Sequence, residues 1–175
     1  LQIRIVEDGT RYMRDSLREI FTTLFETILL VSLVVLLLMG SFRTALVPLV
    51  AIPISIFGAI AVIQLLGFSL NLLTVLAVVL SVGLVVDDAI VVLENITRHL
   101  ERGATPKEAA LSGSREIGFT VVSISLSLIA VFIPILLMGG VLGRLFHEFA
   151  VVLSLAILIS LWVSLTTTPM MCAAL

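Results

Sequence analysis

LNLLTVLAVVLSVGLVVDDAIVVLEN, Leu70 to Asn95, decides the architecture. The run up to Leu93 exceeds the ~20 apolar residues that cross a ~30 Å hydrocarbon core at about 1.5 Å per residue, yet it carries two adjacent carboxylic acids, Asp87 and Asp88. Counting by seven through Asp88 gives Thr74, Ser81, Asp88 and Asn95. Seven residues are nearly two helical turns, so these four form a polar stripe on one face. Val79, Leu80, Val86, Val91 and Val92 keep the rest of the surface apolar. A helix striped in this way turns its polar face toward a bundle interior or a wet cavity and its remainder toward lipid. The expected fold is therefore an all-α membrane protein, a polytopic transmembrane helix bundle.

The whole chain agrees with that reading. Of its 175 residues 60% are hydrophobic and 13% charged. With a mean hydropathy of +1.28 it is too apolar for a water-soluble domain with one core. A net charge of −2 points to no nucleic-acid partner. The single cysteine, Cys172, cannot form an intrachain disulfide, and His99 and His147 stand alone without ligand-spaced companions. No metal site and no cofactor are expected.

Working outward, Leu1, Ile3 and Ile5 alternate with Gln2 and Arg4, so residues 1–9 are expected to be the last strand of a preceding soluble domain. Met13, Leu17 and Ile20 oppose Arg11, Arg14, Asp15, Arg18 and Glu19, the pattern of an amphipathic surface helix over 10–20. Residues 21–175 then read as a bundle of five spans, at about 21–39, 45–66, 70–93, 117–138 and 149–168. Pro53, Pro134 and Pro169 fall in or beside spans, where kinks rather than breaks are expected. The connector 94–116 holds Thr105-Pro106-Lys107-Glu108, a capping box with proline at the first helical position, which predicts a short surface helix. Arg144 and Glu148 have the spacing of an i,i+4 surface pair. Arg43, Arg98, Arg102, Lys107 and Arg115 share one side of the membrane, which the excess of positive charge marks as cytoplasmic.

Two unpaired ionised acids at the depth of Asp87 and Asp88, about 7 to 8 Å from the middle of the span, are untenable, since one costs roughly 2.5–3.5 kcal/mol near the bilayer centre. Either they hold protons or a cation neighbours them. The other four spans offer no basic residue. The counter-charge is then expected from another part of the polypeptide or another subunit, and Gly83, one turn before Asp87, leaves room for its helix. Adjacent helical positions point about 100° apart, so each acid meets a different neighbour rather than sharing one proton. Proton relay by Asp87 and Asp88 is weighed against helix glue, with Thr74 and Ser81 in support as hydroxyls that also bond back to the backbone. Glu26, shallow in the first span, either lines an entry or rests among headgroups, and Glu94 and Asn95, at the other end of the third span, are expected to reach the cytoplasmic interface.

With these residues in view, the chain resembles a known family. GLVVDDAIVVLEN, preceded by FRTALVPLVAIPISIFGAIAV and followed by GFTVVSISLSLIAVFIPILLMGG and LTTTPMMC, is similar to the resistance-nodulation-division (RND) efflux permeases, in particular their AcrB-like hydrophobe/amphiphile branch and its MdtB/MdtC type. The resemblance implies an internal piece, the second to sixth helices of a twelve-helix permease, entered from a periplasmic porter domain. It implies a homo- or heterotrimer in the bacterial inner membrane, working with a periplasmic adaptor and an outer-membrane channel. Hydrophobic or amphiphilic drugs are the implied substrates, and protons the coupling ion. It also implies that Asp87 and Asp88 are the proton-binding pair of a drug/proton antiporter, a secondary active transporter rather than an enzyme, with a lysine partner on the tenth helix. The rival readings are a related bundle used for metal efflux, protein translocation or sterol sensing, and a purely structural role for the acids.

Overall fold

The computed structural model describes residues 9–39, 42–68 and 71–174. They form five helices: α1 (Gly9–Met39), α2 (Phe42–Leu65), α3 (Leu72–Glu101), α4 (Pro106–Leu136) and α5 (Gly140–Ala174). No strand occurs among the described residues. The strand expected over 1–9 falls outside them, apart from Gly9, which opens α1. The amphipathic stretch and the first span are one continuous helix. By length and composition α2 to α5 can each cross a membrane, and α1 contributes the shorter apolar segment Phe25–Leu37. Bulky apolar side chains such as Phe57, Phe119 and Trp162 are exposed, as expected of lipid-facing surface.

Two expectations about the connector are corrected. Thr105 does cap a helix, with its hydroxyl accepting from the Glu108 N–H and the Glu108 carboxylate accepting from the Thr105 N–H, but that helix is not a short separate piece. It runs unbroken into the fourth span. The reason is packing: a Cβ on Gly113 would lie 3.0 Å from Ile96 Cα, so α4 presses backbone to backbone on α3 from its first turns. Asn95, expected at the interface, is buried and donates from Nδ2 to Gly113 O (2.8 Å). Beside it Arg98 pairs with Glu116 at 3.1 Å, and His99 Nε2 lies 2.7 Å from Glu116 Oε2. Only Arg102 to Thr105 separate the two helices.

α3 and α5 form the centre and run parallel. Ala77 and Val78 cluster with Val152 and Leu153, Ala89 with Val163, and Val92, Leu93 and Ile96 with Cys172. α2 and α4 each pack on both central helices, whereas α1 packs only on α2 and α3 among the described residues. The prolines at 48, 53, 134 and 169 all lie within continuous helices. Two residues past the end of α2, Gly67 has a φ of +68° that lets the Phe68 N–H reach back to Ile63 O at 3.1 Å.

α3 begins at a side-chain cap. Asn71 Oδ1 accepts from the Leu73 and Thr74 N–H groups, each at 2.9 Å, while Thr74 Oγ1 accepts from the Asn71 N–H at 2.9 Å. The Asn71 amide also donates to Glu148 Oε2 at 2.9 Å, tying α3 to α5. Arg144 makes no ion pair with Glu148 among the described residues. Asn71→Ala removes cap and tie together, and a loss of about 1–2 kcal/mol is expected in the thermal or denaturant unfolding of the full-length protein.

Candidate functional site

The stripe predicted on α3 faces inward along its whole length. Thr74, Ser81, Asp88 and Asn95 are all buried. Ser81 donates back to Val78 O at 2.7 Å, and Thr74 serves the cap of α3. Asp88, 7% exposed, is met by α4 and α5. The Ser125 hydroxyl approaches Asp88 Oδ2 at 3.3 Å while also donating to Val121 O at 3.0 Å. The Ser160 hydroxyl supplies a second hydrogen bond to the Asp88 carboxylate.

Asp87 has a different environment, as its 100° offset requires. It is exposed on the wall of a cavity of about 580 Å³ that reaches from Val31 of α1 past Gly83 and Leu80 to Leu128 and Phe132 of α4 and Phe149 of α5. Asp87 is the only charged lining residue among those described. Gly83 faces open space, with nothing within 4 Å of where a Cβ would stand. The structure therefore places Gly83 and Asp87 on one wall and Asp88 behind them, in the seam. Glu26 is not brought to the pair: it is exposed on α1, five residues before Val31, the α1 residue that reaches the cavity.

Ser125 and Ser160 are site residues that sequence reasoning missed. A signal existed in the four-residue spacing of Ser160, Ser164 and Thr168, which makes a polar edge on α5 like the stripe on α3. All three are buried. From α4 and α5 the hydrogen bonds to Asp88 come from hydroxyls, and the basic residues of those helices, Lys107, Arg115 and Arg144, lie ten or more residues along their own helix from Ser125 or Ser160. No cluster of three metal-ligating groups occurs among the described residues. The chemistry available is that of a buried acid held by two hydroxyls, beside a second acid open to a cavity. Such a pair can take up and release protons, or bind a cation brought by another element.

The AcrB/AcrD/AcrF family matches over residues 1–175. The chain is 56% identical over 172 residues to the multidrug resistance protein MdtC of Escherichia coli O139:H28, and 58% identical to that of Klebsiella pneumoniae strain 342. It is 57% identical over 172 residues to MdtC of Salmonella schwarzengrund. In each case the match covers 98% of this chain and 17% of the relative. The chain thus spans about a sixth of the length of these curated relatives, and over that span, with its inward-facing acid stripe, it belongs to the AcrB/AcrD/AcrF family.

Proposed function

We propose that this chain is part of an inner-membrane, proton-driven multidrug efflux transporter, a drug/proton antiporter in which Asp87 and Asp88 bind the transported proton. The observation that carries the reading is Asp88: buried at the meeting of α3, α4 and α5, hydrogen-bonded by Ser125 and Ser160, with no basic side chain among those contacts. A carboxylate fixed without a counter-charge costs several kcal/mol in low-polarity surroundings, so its stable forms are the protonated acid and the acid paired with a cation. Alternation between those forms is the elementary step of proton coupling. The cavity beside Asp87 is where a cationic side chain from another helix would enter, and Gly83 leaves the approach open. Family membership and the multidrug-resistance names of the relatives support drugs as the exported class.

On this reading one charge moved down 100 mV supplies about 2.3 kcal/mol to helix movement. The remaining parts of the transporter supply the counter-charge, the trimer contacts, the drug site, and the surfaces for a periplasmic adaptor and an outer-membrane channel. Thr74 and Ser81 continue the buried polar stripe of α3 beyond Asp88. Full-length transporter in proteoliposomes tests the assignment. With an imposed pH difference, adding a transported amphiphilic dye is expected to accelerate proton flux in the opposite direction to the dye. Dye movement with no accompanying proton flux would overturn it.

A further inference from the structure

Hydroxyls inside membrane helices ordinarily bond back to a carbonyl three or four residues earlier. Ser32, Ser81, Thr97, Ser114, Ser123 and Thr166 all do so here. Among the described residues Ser55, Ser154, Ser164 and Thr168 do not, and the last two follow Ser160 along α5. Both are almost wholly buried, at 1% and 0% exposure, and neither hydroxyl has a hydrogen-bond partner among the described residues. The contrast lies within one helix, since Thr166, between them and exposed, donates to Trp162 O at 2.6 Å.

Position adds a second observation. Ser160, Ser164 and Thr168 stand four residues apart, so each step along α5 is about 6 Å. That is too far for one hydroxyl to reach the next and matches two hydrogen bonds of ~2.8 Å through one water. The first member bonds Asp88. Because α3 and α5 run parallel, with Ala89 beside Val163 and Ile96 clustered with Cys172, the last member lies about level with Leu93, within one turn of Asn95. Asn95 in turn donates to Gly113 O and, at 3.4 Å, to Glu116 Oε2, and the Glu116 carboxylate is half exposed. Pro169 contributes as well: lacking an N–H, it leaves Leu165 O without its helical donor next to both hydroxyls.

We propose that Ser160, Ser164 and Thr168 form a water-bridged hydroxyl track along the α3–α5 seam, connecting Asp88 with the Asn95–Glu116 end of the bundle, through which Asp88 exchanges its proton. The proposal rests on Asp88 being a proton site. The charges along the path are few. Asp87 is adjacent on α3, Glu116, Arg98 and His99 gather at the far end, and α2 carries no charged residue between Thr44 and Leu65. Nothing basic therefore stands inside the track to repel a proton.

The test is hydrogen–deuterium exchange of the Asp88 carboxyl, followed by infrared spectroscopy on the full-length transporter in lipid. The protonated-carboxyl band is assigned by its disappearance in Asp88→Asn. The double variant Ser164→Ala/Thr168→Val, which removes both hydroxyls with little change of volume, is expected to slow deuteration of that band roughly tenfold or more, equivalent to about 1.4 kcal/mol of barrier. Ser164→Thr/Thr168→Ser retains hydroxyls and should exchange like the wild type, as should Thr166→Val on the lipid-facing side. A normal exchange rate in the double variant, with the band present, overturns the track and leaves the proton site intact. No band lost in Asp88→Asn overturns both. Slow exchange in every variant, Thr166→Val included, would mean general disturbance of α5 and would also count against the track.

Discussion

Asp88→Asn in the full-length transporter is expected to reduce dye efflux on the order of 10²-fold or more, to the level of cells lacking the transporter, at unchanged membrane abundance. The amide fills the volume of the carboxyl and its carbonyl oxygen can accept from the Ser125 and Ser160 hydroxyls, so the meeting point of α3, α4 and α5 stays packed. What it loses is the ability to carry a proton or to pair with a cation. Asp87→Asn is expected to cause a comparable loss by a different route, because Asp87 opens on the cavity and supplies the charge facing an incoming partner. Whole-cell accumulation of an amphiphilic dye, with immunodetection of the membrane fraction, measures both variants side by side. Normal pumping by both would make the acids helix glue and remove the antiport assignment.

The second large effect concerns the turn between α4 and α5. An ideal Cβ on Gly143 would lie 1.9 Å from Met138 O, and the obstacle is backbone, which a rotamer change cannot relieve. Gly143→Ala must therefore displace the turn or unwind the start of α5. A destabilisation of about 3 kcal/mol or more is expected, the upper end of overpacking penalties, visible as a lower unfolding midpoint of the purified full-length protein. Gly118→Ala is the matched comparison within α4, because nothing lies within 4 Å of its would-be Cβ. There the same chemical change should be neutral or stabilise by roughly 0.5–1 kcal/mol, through reduced freedom of the unfolded chain and better helix propensity. Equal effects at the two positions would mean that the 137–143 turn does not have the backbone geometry described.

Much of this was legible before any coordinates. The bundle and the inward stripe follow from apolar length and a seven-residue period, both of which are properties of a single helix. The Thr105 cap is equally local. What stayed hidden depends on two helices at once. The polar stretch Ser112-Gly113-Ser114-Arg115-Glu116 reads as the end of a short connector helix, yet the helix continues through it into the span, because Gly113 fits the backbone of Ile96 and Glu116 gathers Asn95, Arg98 and His99. Likewise nothing in SISLS distinguishes Ser125, which faces Asp88, from Ser123 and Ser127, which bond only to their own helix. Register between helices, not composition, made that choice.

The parallel α3–α5 seam also sets a timetable for biogenesis. At ~5–20 residues per second, Ser160 is synthesised roughly 4 to 14 s after Asp88, from which 72 residues separate it. Ser125 follows Asp88 by 37 residues and arrives in about half that time. During the interval α3 must be held in the translocon or its lipid margin with its acids uncovered. The Val- and Leu-rich remainder of the helix offsets their insertion cost. A ribosome paused between α4 and α5 would leave Asp88 served by one hydroxyl instead of two. Synonymous codons that slow translation over residues 137–160 are therefore predicted to lower the yield of inserted protein without altering a single side chain.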